Sequence, residues 1–340
     1  MGPSPKISIL LPSYRQERFV REAVESVLMQ DFPDWEMVAS DDASPDGTAA
    51  ILEEYARRDP RIRFCHQKSN LGMVENWNWC LREARGEAVK LMGADDRLEK
   101  PDCLSRQWAA LQNPGVSLVA SARRLIDEHS CAIRTESGFA TARTAGPAAM
   151  NRMLETQTNL VGEPVCALFW KTAASRGFHP GYPQLADMEM WFQLLQQGDL
   201  FYEQGPLCSF RVYPNQLSQR NLQSGHSLRE HVRFMIARSQ NTSMGITTKR
   251  SVYFWALETR KRNPGLWNPD FEGGFLELRQ QLGGASFWFS WLWRQVGRTG
   301  TRLGRSISKR VWPQVKEPTP KPVQGSTLFG PGSRPPPSSK

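Results

Sequence analysis

The chain has 340 residues, 39% apolar and 10% aromatic, which suits one large α/β domain with appendages and excludes wholesale disorder. Its net charge of +9 lies at one end: residues 1–285 carry 33 basic and 33 acidic side chains, and from Ser286 onward ten basic residues meet only Glu317. A neutral body excludes a generally basic nucleic-acid-binding domain; six cysteines without a C-x-x-C pair exclude a zinc knot or disulfide framework and suit a reducing cytoplasm.

The first 125 residues alternate between two patterns. Ile7 to Leu11 is a short, fully apolar run, as in a buried parallel strand. Phe19 to Gln30 is helical, with Val20, Val24, Val27 and Leu28 on one face. Trp35 to Ser40 is a strand, and Asp46-Gly47-Thr48 can cap a helix over Ala49 to Arg57. A strand at Ile62 to His66, a helix at Val74 to Ala84 and a strand at Ala88 to Met92 follow. Pro101 suits the first turn of the next helix, and Val116 to Ala120 is one more strand. Residues 127–160 read as loop-rich. Val165 to Trp170 is strand-like, Asp187 to Gln197 helical, and Leu200 to Glu203 and Cys208 to Tyr213 are two further short strands. Helical patterns run from Ser227 to Arg262. After Trp312 the chain is Pro/Ser/Gly-rich, a disordered composition.

Strand–helix alternation with short connections specifies an α/β, doubly wound, mostly parallel sheet. Such sheets bind ligands at the carboxyl ends of their strands. Ser13-Tyr14, Asp41-Asp42 and Asp95-Asp96 all fall there. Either aspartate pair alone is a common turn element; three polar clusters on one sheet edge point to a site. Adjacent carboxylates suit a hard divalent cation, Mn²⁺ or Mg²⁺, with a diphosphate as co-ligand. Tyr14 offers a flat face to a nucleobase, and Asp42 can accept from a base N–H. There is neither a G-x-x-x-x-G-K-[ST] loop nor a G-x-G-x-x-G turn, so the diphosphate is expected on metal rather than on a glycine loop.

From Ile7 to Ser218 the chain resembles the nucleotide-sugar glycosyltransferases of family 2, with the GT-A fold. The matching pieces are ISILLPSYRQERFVREAVESVLMQ, DWEMVASDDASPDGT, NLGMVENWNWCLREARGEAVKLMGADDRLEKPD, GEPVCALFWK, DMEMWFQLLQQGD and LCSFRVYPNQLS. The resemblance implies that Pro12 and Tyr14 line the nucleobase pocket and that Asp42 bonds the base. It places Asp95 on the ribose or metal and Asp96 on the metal. Asp187 falls at the catalytic base with Glu189 as its rival, and two residues apart on a helix they do not share a face. The implied reaction is a single inverting displacement from a nucleoside-diphosphate sugar to a glycan or lipid-linked acceptor, in cell-surface polysaccharide or glycolipid assembly. The chain departs from the pattern at Gly93, where Asp is common, at Arg15 for Asn, at Gln193 for Arg and at Tyr213 for His. These departures make a nucleotide-sugar-binding or partner-binding protein without turnover the competing reading. A nucleotidyltransferase on a similar sheet is disfavoured because no glycine- and Arg/Lys-rich phosphate loop follows Ile7 to Leu11.

The expected organisation is a glycosyltransferase domain at 1–220, a helical extension at 221–284, a basic amphipathic helix at 285–312 and a disordered tail at 313–340. On a helix, Trp288, Leu292, Val296, Leu303 and Ile307 fall on one side of 285–312, and Arg294, Arg298, Arg302, Arg305 and Lys309 on the other. That pattern suits an anionic membrane surface. With no secretory leader and no spanning run, the expected location is cytoplasmic, peripheral on the inner face of the membrane, with no nucleic-acid partner.

Overall fold

The computed structural model describes residues 4–282 except 215, 218–220, 222–225, 241–243 and 267–268. Four apolar runs form parallel strands: β1 (Ile7–Ser13), β2 (Trp35–Asp41), β3 (Ile62–His66) and β4 (Ala88–Leu91). β1, β2 and β4 are buried at every residue, which explains why apolar side chains dominate them; the buried Glu36 and Lys90 are hydrogen-bonded inside the sheet. The helices between them are α1 (Val20–Leu28), α2 (Thr48–Arg58) and α3 (Met73–Glu83). At the start of α2 the Asp46 carboxylate accepts the Thr48 N–H at 3.2 Å. β5 (Arg97–Leu98) and α4 (Cys103–Leu111) lead into β6 (Val116–Ile126).

The stretch 127–160 is more ordered than its sequence suggests. It holds β7 (Ala132–Glu136), β8 (Arg143–Thr144) and α5 (Gly146–Thr156). β7 is an exposed edge strand paired only with β6, so no burial periodicity marks it. Val165 to Trp170 is not one strand: Pro164–Cys166 is a tight 3₁₀ turn, and β9 covers Leu168–Trp170. α6 spans Ala186–Leu195. The two expected strands that follow are one, β10 (Asp199–Arg211), which crosses Gly205-Pro206 through register shifts against β6 instead of ending there.

The ten strands of the described residues form one sheet in the order β3-β2-β1-β4-β9-β6-β10-β5, with β7 and β8 attached to β6 and β10. Six strands run in one direction (β1–β4, β6 and β10); β5, β7, β8 and β9 pair antiparallel to them. Register places Ser13 beside Asp41 and Asp41 beside His66, so the ends of β1, β2 and β3 align. One core packs α1, α2 and α4 on one face; the other face carries α3, α5 and α6 together with α7 (His226–Ser239), α8 (Ile246–Arg262) and α9 (Pro269–Leu282). Phe234 of α7 meets Phe192 of α6 edge-on at 5.2 Å, so these helices share the second core. The expected basic helix at 285–312 and tail at 313–340 lie outside the described residues.

Candidate active site

At the end of β1 Pro12 is buried and Tyr14 is 41% exposed, with the Arg15 guanidinium 5.3 Å from the Tyr14 ring centre. Arg15 and Ala43 both adopt left-handed backbone conformations, and the Arg15 N–H donates to Ser44 Oγ at 2.9 Å, so the loops after β1 and β2 turn side by side. Asp41 is fully buried and pairs with His66 Nδ1 at 2.8 Å. Asp42 is 2% exposed; its Oδ1 accepts the Leu71 N–H at 2.6 Å and its Oδ2 the Gly72 N–H at 3.0 Å. It therefore anchors the start of α3, and a base N–H would have to use the lone pairs these bonds leave.

Asp95 and Asp96 follow β4 in a turn closed by the Asp96 N–H donating to Gly93 O at 3.0 Å. Their repulsion is met from the end of β10. The Arg211 backbone N–H donates to Asp96 Oδ1 at 3.0 Å, and its Nε donates to the Asp95 carbonyl at 2.8 Å. Tyr213 donates its phenolic proton to Asp95 Oδ2 at 3.0 Å while its ring packs against Phe19, and Gln216 Nε2 approaches the same oxygen at 3.5 Å. Burial pushes the Asp95 carboxyl up, and the Tyr213 hydrogen bond draws it partly back. Burial followed by the Asp95 charge pushes Asp96 well above the carboxylate range.

The remaining oxygens converge. A Cβ on Gly93 would lie 2.7 Å from Asp95 Oδ1 and 3.0 Å from Asp96 Oδ2, so both oxygens face the space beside Gly93. Among the described residues no third His, Cys, Asp or Glu joins them. Two hard oxygens side by side fit Mg²⁺ or Mn²⁺, which fill their other positions with water and phosphate oxygens. The phenol at position 213 bonds a carboxylate instead of offering a nitrogen ligand.

Asp187 stands at the start of α6, half-buried. Its Oδ2 accepts from Asn159 Nδ2 at 2.9 Å and its Oδ1 from the Met188 N–H at 2.7 Å. Burial pushes its carboxyl up to about 7, helped by the Glu163 charge and opposed by the Met188 N–H. Glu189 is placed differently. It is 3% exposed, paired with Arg238 of α7 at 2.5 Å and bonded to Gln193 at 2.5 Å, which ties α6 to α7. The two acids point apart, as their spacing requires, and among the described residues only Asp187 of the two keeps a carboxyl outside an ion pair.

Sequence reasoning missed the residues that hold these groups in place. Arg211, 1% exposed, also donates to Asp127 O at 3.0 Å, Ser130 Oγ at 2.9 Å and Glu22 at 2.5 Å. Its one legible signal is an arginine inside the apolar run LCSFRV. Asn159, in the loop after α5, carries no local pattern, and Glu163 lies within the matching piece GEPVCALFWK with no role assigned to it.

Residues 8–178, half of the chain, match Glycosyl transferase family 2. The chain is 29% identical to chondroitin synthase of Escherichia coli over 217 residues, covering 61% of this chain and 29% of that protein. It is 35% identical over 95 residues to a Campylobacter jejuni protein named GalNAc(5)-diNAcBac-PP-undecaprenol beta-1,3-glucosyltransferase, covering 28% of this chain and 31% of that one. It thus spans less than a third of these two relatives, and 40% and 62% of two others that it matches. The fold is that of Staphylococcus aureus TarS 1–349, solved with UDP-GlcNAc (TM-score 0.59, 15% identity, 80% of this chain and 79% of that one). It is also that of the Pyrobaculum calidifontis mannosyltransferase PcManGT, solved with GDP-Man and Mn²⁺ (TM-score 0.55, 17% identity, 91% and 84%). With the sheet, its polar carboxyl edge and the family match in agreement, this chain belongs to glycosyl transferase family 2 and has the GT-A fold.

Proposed function

We propose that the protein moves a sugar from a nucleoside-diphosphate sugar to an acceptor hydroxyl in one inverting displacement, with Asp187 as the base. The observation that carries this reading is the contrast between the two acids of α6. Glu189 is locked against Arg238, whereas among the described residues the Asp187 carboxyl lies outside any ion pair and is tuned to about 7, where a general base works best near neutral pH. Asp187 accepts the acceptor proton as that oxygen bonds the anomeric carbon and the diphosphate oxygen departs with its electron pair.

Pro12 and Tyr14 would flank the nucleobase, and Asp42 would bond its edge. Asp95 and Asp96 would hold Mn²⁺ or Mg²⁺, which neutralises the departing diphosphate when bound. A glycan or lipid-linked acceptor, in surface polysaccharide or glycolipid assembly, is supported by relatives named for a polymer and for an undecaprenol-linked product. Among the described residues no helix is long and apolar enough to cross a membrane, and residues 285–312 are the proposed contact with an anionic inner surface. A binding protein without turnover is the second reading, favoured by the phenol of Tyr213 on Asp95 and the missing carboxylate at Gly93.

The test is Asp187→Asn, assayed by nucleoside-diphosphate release with lipid-linked acceptor. Turnover should fall by about 10²–10⁴-fold with donor binding retained. A variant that keeps more than about a tenth of wild-type turnover refutes the base, and a wild-type chain that binds donor without turnover supports the second reading.

A further inference from the structure

The loop after α5 is fastened by side-chain hydrogen bonds. Asn159 Oδ1 accepts the Gly162 N–H at 3.1 Å, and its Nδ2 donates both to Gly162 O at 3.1 Å and to Asp187 Oδ2 at 2.9 Å. The orientation of this amide is determined by its neighbours: the Gly162 N–H needs an acceptor, so the nitrogen must face the carboxylate. Gly162 O also accepts the indole N–H of the fully buried Trp191 at 3.1 Å. The loop therefore meets α6 at Asp187 and Trp191, one helical turn apart. Gly162 itself has φ +101°, and a Cβ there would lie 2.8 Å from Cys166 Sγ, so the turn accepts no side chain. The next residue, Glu163, pairs with Arg123 of β6.

We propose that Asn159 is a positioning residue for the Asp187 carboxylate, fixing its orientation and favouring its ionised form through the amide N–H, with Gly162 and Trp191 holding Asn159 in place. This rests on the reading of Asp187 as the base. An amide that donates to a carboxylate stabilises the charge that burial opposes. The other charged groups facing Asp187 are Glu163 from the loop, which raises its pKa, and Arg123 from β6, which lowers it. Glu189, on the same helix, is turned to Arg238.

The experiment is the pH dependence of kcat. Asn159→Ala should move the acid limb upward by about one pH unit, because the base then holds its proton more tightly. Asn159→Asp, isosteric and still an acceptor for Gly162, should move it further; it also serves if Asn159→Ala fails to fold. A limb that stays in place while activity falls equally at all pH values, with donor KM unchanged, overturns the inference. Asp187→Asn separates the two ideas. If that variant keeps turnover, the base reading fails and takes this one with it; if it is inactive and the limb does not move in the Asn159 variants, only the positioning role fails.

Discussion

Arg211 is the residue whose loss should be felt most widely, and the cost can be worked from its partners. Its guanidinium makes four hydrogen bonds, to Asp95 O, Asp127 O, Ser130 Oγ and Glu22, from a side chain 1% exposed. Removing one partner of a buried ion pair costs about 3–5 kcal/mol. Glu22, however, keeps Arg97 and the Ser130 hydroxyl, which hold its carboxyl below the usual range even though burial pushes the other way. The lower end of that span, about 3 kcal/mol, is therefore expected for Arg211→Met. Arg211→Lys keeps the charge but not the fork, and should recover only part of the loss. The backbone bond to Asp96 survives both changes, so weakened donor binding would report the freed Asp95 carbonyl and turn. The assay is urea unfolding, followed by calorimetric titration with nucleoside diphosphate and Mn²⁺. If Arg211→Met unfolds within about 1 kcal/mol of wild type, the network is not the clamp described here.

His231 of α7 is 8% exposed, and burial pushes its imidazole down to about 4 although a bond to the Gln157 backbone works against the shift. The unfolded chain binds this proton below about 6.5 while the native one does so only near 4, so up to about 3 kcal/mol of stability should be lost as pH falls through that window. His231→Gln should flatten the pH 4–6.5 dependence of the unfolding free energy; an unchanged slope contradicts it. A chain ending near Gly284 should lose sedimentation with phosphatidylserine-containing vesicles if residues 285–312 form the membrane contact, and sedimentation equal to the full chain rules that contact out.

The parallel half of the sheet was legible because its buried strands β1, β2 and β4 are mostly apolar and are followed by polar residues. Helical spacing alone indicated that the two acids of α6 point in different directions. What escaped was long-range. Arg211 and Glu22 lie 189 positions apart, and no local pattern links them. Asp42 was visible as a polar residue at a strand end but not as the anchor of α3, since its partners are backbone groups that any residue supplies. β7 and β8 were missed because exposed edge strands carry no burial rhythm, and Gly205-Pro206 suggested a break where the strand merely bulges.

That bulge governs where the site's arginine points. From Glu203 to Cys208 the chain takes five steps, opposite two along β6 from Ser121 to Arg123, so three residues are surplus. Side chains alternate along a strand, and an odd surplus absorbs a half-turn before pairing resumes and carries Arg211 to its place opposite Ile126. The direction of the guanidinium is thus fixed by how many residues lie between 203 and 208 more than by which ones they are. Losing or gaining a single residue in that stretch would turn the last segment of the strand over and strip Asp95 and Asp96 of their support.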